Sequence, residues 1–117
     1  MGYESRVYIM RKSNSMGGFA EEIAKFNCRG MSGNGWRELF SKPIDYKIFA
    51  DDGNTEFDED KYGEHLKYAD FPTVIAWLER EVEKEDYRRL KPLLSLLKGF
   101  DLSQWTDGEM QIVHYGY

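Results

Sequence analysis

Residues 5–12, SRVYIMRK, carry apolar side chains that would lie on both faces of an extended chain, and this pattern constrains the fold most. In a β-strand, successive side chains point to opposite faces. Val7 and Ile9 then share one face, while Tyr8 and Met10 share the other. Such β-branched and aromatic residues also favour extended structure. The segment is therefore predicted to be a strand with apolar contacts on both sides.

Residues 19–28, FAEEIAKFNC, fit two patterns. A helical spacing joins Ala20, Ile23, Ala24 and Phe26, whereas Ala24, Phe26 and Cys28 alternate as in a strand. We favour a strand that pairs with the first one.

A β-hairpin is predicted for residues 44–62. Apolar and polar residues alternate up to Phe49 and again from Thr55. Between them, Asp52 and Gly53 supply the positive φ angles that a tight hairpin turn requires. The acidic stretch 50–60, ADDGNTEFDED, is therefore first of all the tip and returning strand of a hairpin.

Two helices are predicted after the hairpin, because the hydrophobic period changes at Asp70. Asp70 can cap the first helix, with Pro72 in its first turn. The second helix begins after Asp86 and is either kinked by Pro92 or starts afresh near Lys91. The apolar stripes comprise Val74, Ile75, Leu78 and Val82, with Trp77 beside them, and then Tyr87, Leu90, Leu93, Leu94 and Leu97, before a stop at Gly99.

The last ten residues, GEMQIVHYGY, alternate again and predict a closing strand. The order β-β-β-β-α-α-β indicates an α+β fold, a mainly antiparallel sheet with two helices packed on one face. A chain of 117 residues with 41% hydrophobic content can form one compact core, so a single domain over 1–117 is expected.

Several features suggest a cytoplasmic protein without a membrane segment. No apolar run approaches the roughly 20 residues that cross a bilayer. The N-terminal sequence lacks the apolar stretch of a signal peptide. Cys28 is the single cysteine, which excludes an intramolecular disulfide and a cysteine-based zinc site.

The net charge of −5 is unevenly distributed. Residues 48–86 hold thirteen Asp or Glu against four Lys or Arg, whereas residues 1–47 hold eight Lys or Arg against five acids. A non-specific nucleic-acid binder usually shows a clustered basic face and a high pI. We therefore expect no direct binding of nucleic acid.

The acidic stretch does not fit a calcium-binding loop. With Gly53 at position six of the twelve-residue loop, Ile48 and Ala50 would occupy the ligand positions one and three. No metal site, cofactor or catalytic residue is predicted. His65 and His114 have no metal-ligand spacing, although a small enzyme that uses one of them remains an alternative.

An acidic recognition surface is the leading hypothesis. Glu56, Asp58 and Asp60 would form a row on one side of the returning strand, about 6.6 Å apart. Such a row resembles a line of phosphates and could bind a basic protein, a nuclease or a toxin. The default interpretation of the row itself is a charged edge that only prevents strand pairing and keeps the protein soluble, and recognition leads among the possible functions. The predicted binding residues are Asp51, Asp52, Glu56, Asp58, Glu59, Asp60, Glu79 and Glu83, with Trp36 and Tyr117 as exposed aromatic contacts.

The motifs GYES at 2–5, DDGNTE at 51–56 and HYGY at 114–117 resemble small proteins of bacteriophages and prophages. The resemblance implies a role in the contest between phage and host, such as inhibition of a restriction or CRISPR nuclease through protein binding. An immunity protein that neutralises a toxin is the alternative, since it would use the same acidity.

Overall fold

The computed structural model describes residues 5–13, 19–28, 35–50, 53–60, 62–83, 90–100, 102–105 and 109–116. Its strands are β1 (Ser5–Ser13), β2 (Phe19–Asn27), β3 (Lys42–Pro43), β4 (Ile48–Phe49), β5 (Glu56–Phe57), β6 (Lys67–Ala69) and β7 (Met110–Gly116). Its helices are α1 (Phe71–Glu81) and α2 (Lys91–Lys98). Short 3-10 turns lie at Arg37–Leu39 and Leu102–Gln104. The α+β class is confirmed, with short strands added to the predicted order.

Five strands of the described chain form the main sheet in the order β2-β1-β7-β6-β3. Each neighbouring pair is antiparallel. The two-residue strands β4 and β5 form a separate antiparallel ribbon. The closing strand β7 therefore lies inside the main sheet, between β1 and β6, which explains why Met110–Gly116 is buried along its whole length.

The main sheet is covered on both faces, as the first strand predicted. Val7 and Ile9 belong to a helix-side core together with residues of α1 and α2. Tyr8 and Met10 belong to a hairpin-side core together with Ile48 of β4 and Phe57 of β5. The helices and the β4–β5 hairpin thus lie on opposite faces of the sheet.

The strand interpretation of residues 19–28 is confirmed. β2 pairs with β1 along its length, with a β-bulge where Ile9 faces Ala24 and Met10 faces Glu22. Ile23 is the additional residue in β2 at this bulge. A bulge shifts the side-chain alternation by one residue.

Both helices begin near the predicted positions. Asp70 precedes α1, but its side chain makes no capping hydrogen bond; its Oδ2 accepts a hydrogen bond from Lys42 Nζ at 3.1 Å instead. α2 starts at Lys91 with Pro92 in its first turn, so the fresh start is confirmed. Gly99 follows its last residue as the C-cap. The predicted cap at Asp86 lies outside the described residues.

The predicted hairpin is much shorter than the alternation indicated. Pairing with β4 ends at Phe57, because the chain then pairs with a different segment: Asp58 O accepts a hydrogen bond from Leu66 N at 2.8 Å, and Glu59 forms an isolated antiparallel bridge with His65. The prediction of a strand that continues to Tyr62 is therefore wrong. Gly53 has a φ of +74°, as the turn requires, while Asp51 and Asp52 lie outside the described residues.

Two short strands were not predicted. β6 pairs with the buried strand β7, and β3 pairs with β6 at the edge of the main sheet.

In the part of the chain that the structure describes, no helix has the length and apolar content needed to cross a membrane.

Candidate functional site

The acidic hairpin is fixed to the main sheet by an aromatic cluster. The ring of Phe57 lies 6.0 Å from that of Tyr8 and 5.6 Å from that of Tyr115, measured between centroids. Ile48, opposite Phe57 in the ribbon, is also buried. Edge-to-face aromatic pairs add to the stabilisation that burial of the rings supplies. The inner face of the hairpin is therefore part of the hairpin-side core.

The outer face of the hairpin carries both an apolar and an acidic side chain. Phe49 pairs with Glu56 across the two strands, and directly opposed residues point to the same face. Phe49 is 43% exposed, which is high for so large an apolar side chain. Phe49 was not among the binding residues predicted from the sequence, although its position after Ile48 in an alternating segment was a signal.

Three carboxylates next to this face have no neutralising partner in the described chain. Glu56 and Glu59 are exposed and Asp58 is half-buried. None of the three side chains forms an ion pair or a hydrogen bond with another described residue. We call Phe49, Glu56, Asp58 and Glu59 the hairpin surface.

The predicted binding residues Glu79, on α1, and Glu83, just beyond its end, are paired within the protein. Glu79 Oε2 lies 3.9 Å from Lys98 Nζ, and Glu83 Oε1 lies 3.5 Å from Lys91 Nζ. Both lysines belong to α2, so these exposed ion pairs join the two helical segments. Further ion pairs in the described chain include Arg11–Glu109, Lys12–Asp45, Lys42–Asp70 and Arg80–Glu81. The helix acids and the hairpin surface therefore differ in their electrostatic surroundings.

Asp60 stabilises a turn and does not extend the predicted row. Its Oδ1 accepts hydrogen bonds from the backbone N–H groups of Tyr62 at 2.8 Å and Glu64 at 3.1 Å. Asp side chains commonly hold turns in this way. The prediction that Glu56, Asp58 and Asp60 form an extended strand row is wrong, because the strand ends at Phe57.

Trp36 is a core residue, so the prediction of an exposed contact is wrong. Its side chain is 0% exposed. Its ring centroid lies 5.1 Å from that of Trp77 and 5.2 Å from that of Phe40. The indole Nε1 is buried and has no hydrogen-bond partner among the residues that the structure describes. Trp77 is buried as predicted, while Tyr117 lies outside the described residues.

The two histidines line a single cleft of about 400 Å³. His114 on β7 lies opposite Lys67 on β6, and His65 Nε2 donates a hydrogen bond to Ile44 O, 2.9 Å away. Because a carbonyl oxygen only accepts, His65 Nε2 carries the proton. The remaining lining comprises Arg37, Glu38, Phe40, Ser41, Asp60, Glu64, Leu66 and Gly116.

His114 is held neutral by its surroundings. Burial lowers its pKa from 6.5 to about 4, with a further lowering by the positive charge of Arg37, while Asp60 opposes the shift. The ring stacks on Phe40, 5.0 Å between centroids, and its Nε2 lies 3.3 Å from Ser5 Oγ. Ser5 is buried and is not among the residues that line the cleft. The Ser5–His114 pair is therefore structural.

The cleft combines cationic and anionic side chains without a group of metal ligands. Among the described residues, no three His, Cys, Asp or Glu side chains are placed to hold a metal ion. Cys28 is fully buried, which removes it as an accessible nucleophile. The geometry thus gives a stronger chemical case for the hairpin surface than for the cleft.

Comparisons of the chain with protein-family models, with curated proteins and with solved structures found no match.

Proposed function

We propose that this protein is a non-enzymatic interaction protein whose hairpin surface binds a basic surface of a cytoplasmic protein partner. One contrast carries the proposal. The carboxylates of Glu56, Asp58 and Glu59 have no counter-charge among the described residues, whereas those of Glu79 and Glu83 are paired with lysines. Uncompensated charge of one sign steers association with a partner of opposite sign.

The attachment of the hairpin supports this proposal. Phe57 anchors it to Tyr8 and Tyr115 of the main sheet, so the carboxylates lie on a supported element. A preorganised surface loses less conformational entropy when it binds. The exposed ring of Phe49 adds an apolar contact of the kind that anchors protein interfaces.

The class of partner follows from the chemistry of the surface. A protein that handles nucleic acid presents Lys and Arg to phosphates, and a group of fixed carboxylates competes for the same side chains. We therefore propose a phage-type inhibitor of a host defence protein, such as a CRISPR nuclease. An immunity protein for a basic toxin is the alternative, and the identity of the partner separates the two.

An enzymatic role of the histidine cleft is the second candidate, because His65 and His114 line the same cleft. It is less well supported, since His114 is engaged by Ser5 and Phe40. Under the interaction proposal, His65→Gln leaves capture of the partner unchanged. If His65→Gln loses capture and a hairpin variant retains it, the partner binds at the cleft and not at the hairpin surface.

The proposal is tested by capture from bacterial lysate. Wild type is compared with Glu56→Lys/Asp58→Lys/Glu59→Lys and with a control that reverses three charges elsewhere, Glu21→Lys/Glu79→Lys/Glu83→Lys. Circular dichroism establishes that each variant folds. We expect wild type and the control variant to capture a basic protein that the hairpin variant does not capture. Equal capture by both variants, or no capture by wild type, contradicts the proposal.

A further inference from the structure

A groove of about 310 Å³ lies beside the hairpin surface, where β2 passes the β4–β5 ribbon. It is lined by Met10, Ala20, Glu22, Phe49 and Ala50. Its volume is at the lower end of the range for sites that bind small ligands or single side chains. Phe49 belongs to both the groove and the hairpin surface, so the two are continuous.

Among the described residues that line it, the groove has apolar walls and one charged residue. Met10, Ala20, Phe49 and Ala50 supply hydrocarbon, and Phe49 also presents an aromatic ring. Glu22 lies on the same face of the sheet as Met10, because these two residues are directly opposed in the β1–β2 pairing. Glu56, opposite Phe49 in the ribbon, adds a second carboxylate at the border.

The β-bulge places Glu22 in this position. Without this bulge, Glu22 and Ala24 would point to the same face, because residues two apart in a regular strand do so. With it, Ala24 faces the helix-side core and Glu22 faces the hairpin side, as does the cation Lys25, which lies opposite Tyr8. The carboxylate of Glu22 forms no ion pair or hydrogen bond within the described chain.

We propose that this groove binds an arginine side chain of the protein partner. The inference rests on the proposed function and deepens it by naming the partner's residue. An arginine has an aliphatic stem that fits along the apolar walls. Its planar guanidinium stacks on an aromatic ring and pairs with a carboxylate, and it is less strongly hydrated than the ammonium group of lysine. The aromatic ring for stacking is that of Phe49. The carboxylates for pairing are those of Glu22 and Glu56.

The test uses N-acetyl-arginine amide as the probe and N-acetyl-citrulline amide as an uncharged analogue of the same shape. Binding to the isolated protein is followed by backbone amide chemical shifts in NMR. The informative variants are Glu22→Gln and Phe49→Leu. The matched control is Glu21→Gln, since Glu21 is opposite Arg11 and therefore points to the other face of β2.

We expect the arginine probe to shift the amides of the groove residues and the citrulline probe to leave them unchanged. Glu22→Gln should weaken binding of the arginine probe about fivefold, as loss of a partly exposed charge pair does, and Glu21→Gln should not. Phe49→Leu should weaken it by a similar factor. Equal shifts with both probes, or equal binding by Glu22→Gln and wild type, overturns the groove as an arginine site.

The two proposals fail in different experiments. If the arginine probe binds the groove but no lysate protein depends on the hairpin surface, the groove is an arginine site and the proposed function is wrong. If a basic partner depends on Glu56, Asp58 and Glu59 but the probe shifts no groove residue, the proposed function stands and the groove proposal is wrong.

Discussion

Tyr8 of β1 and Phe57 of β5 contact each other across the boundary between the main sheet and the acidic hairpin, with ring centroids 6.0 Å apart and planes inclined by 60°. This contact places a charged hairpin on the face of the sheet opposite the helices. The surface that we propose for binding is therefore supported by the hydrophobic core.

Removal of this aromatic contact should destabilise the protein. We expect Phe57→Ala to lower the free energy of unfolding by about 2 kcal/mol, less than for a fully buried phenylalanine because Phe57 is half-buried. The matched control is Phe49→Ala on the outer face, which should cost less than about 1 kcal/mol. Urea denaturation measures both values, and equal losses would contradict the assignment of inner and outer faces.

Asp60 should act on stability through its turn. Asp60→Ala removes the acceptor for the N–H groups of Tyr62 and Glu64, and we expect a loss of about 1–2 kcal/mol. Asp60→Asn keeps an acceptor oxygen and should cost less than about 0.5 kcal/mol. Thermal unfolding distinguishes the two. An Asp60→Ala variant as stable as wild type would show that the turn does not need this side chain.

The stability of the protein should fall in mildly acidic solution because of His114. Its pKa is lowered from 6.5 to about 4, so between these pH values the unfolded chain binds a proton that the folded chain does not. The free energy of unfolding therefore keeps its full value above pH 6.5 as far as His114 is concerned. It decreases as the pH falls towards 4, by up to about 3 kcal/mol.

This pH dependence is measured as the difference in unfolding free energy between wild type and His114→Phe. Other titrating groups are shared by the two proteins and largely cancel in the difference. We expect the stability of wild type relative to the variant to decrease as the pH is lowered from 7 to 4. A constant difference over this interval would show that His114 is not held neutral.

Replacement of Trp36 by phenylalanine should change the stability of the protein little, whereas replacement by alanine should lower it strongly. Trp36→Phe removes a buried Nε1 that has no hydrogen-bond partner in the described part of the chain, which offsets part of the lost packing, so we expect a change within about 1 kcal/mol. Trp36→Ala leaves a cavity against Trp77 and Phe40 and should cost about 3–5 kcal/mol. If Trp36→Phe loses capture of the partner while it remains folded, Trp36 has a binding role after all.

The long elements of the fold were predictable because their signal is local. The apolar side chains between Val7 and Met10 alternate between two faces, and this pattern identified β1. The change of hydrophobic period at Asp70 identified the start of α1. The two- and three-residue strands β3 and β6 carry too few residues for any period. Their positions depend on pairing with distant strands, as in the contact of β6 with β7.

The candidate site was predictable in composition and not in geometry. The acidic residues Glu56, Asp58 and Glu59 were selected from the sequence, but whether a carboxylate is paired depends on the packing of distant elements. Glu79 and Glu83 looked equivalent to them until α2 placed Lys98 and Lys91 nearby. Trp36 followed a glycine-rich segment and looked exposed, whereas tertiary packing buries it completely.

The most direct test of the proposed function is the salt dependence of the affinity for the captured partner, measured by calorimetry. Wild type is compared with Glu56→Gln/Asp58→Asn/Glu59→Gln, and Glu79→Gln/Glu83→Gln is the control. We expect the affinity of wild type and the control to decrease with rising salt concentration, and the hairpin variant to bind more weakly with a smaller salt dependence. An unchanged affinity and salt dependence in the hairpin variant would contradict an acidic recognition surface on this hairpin.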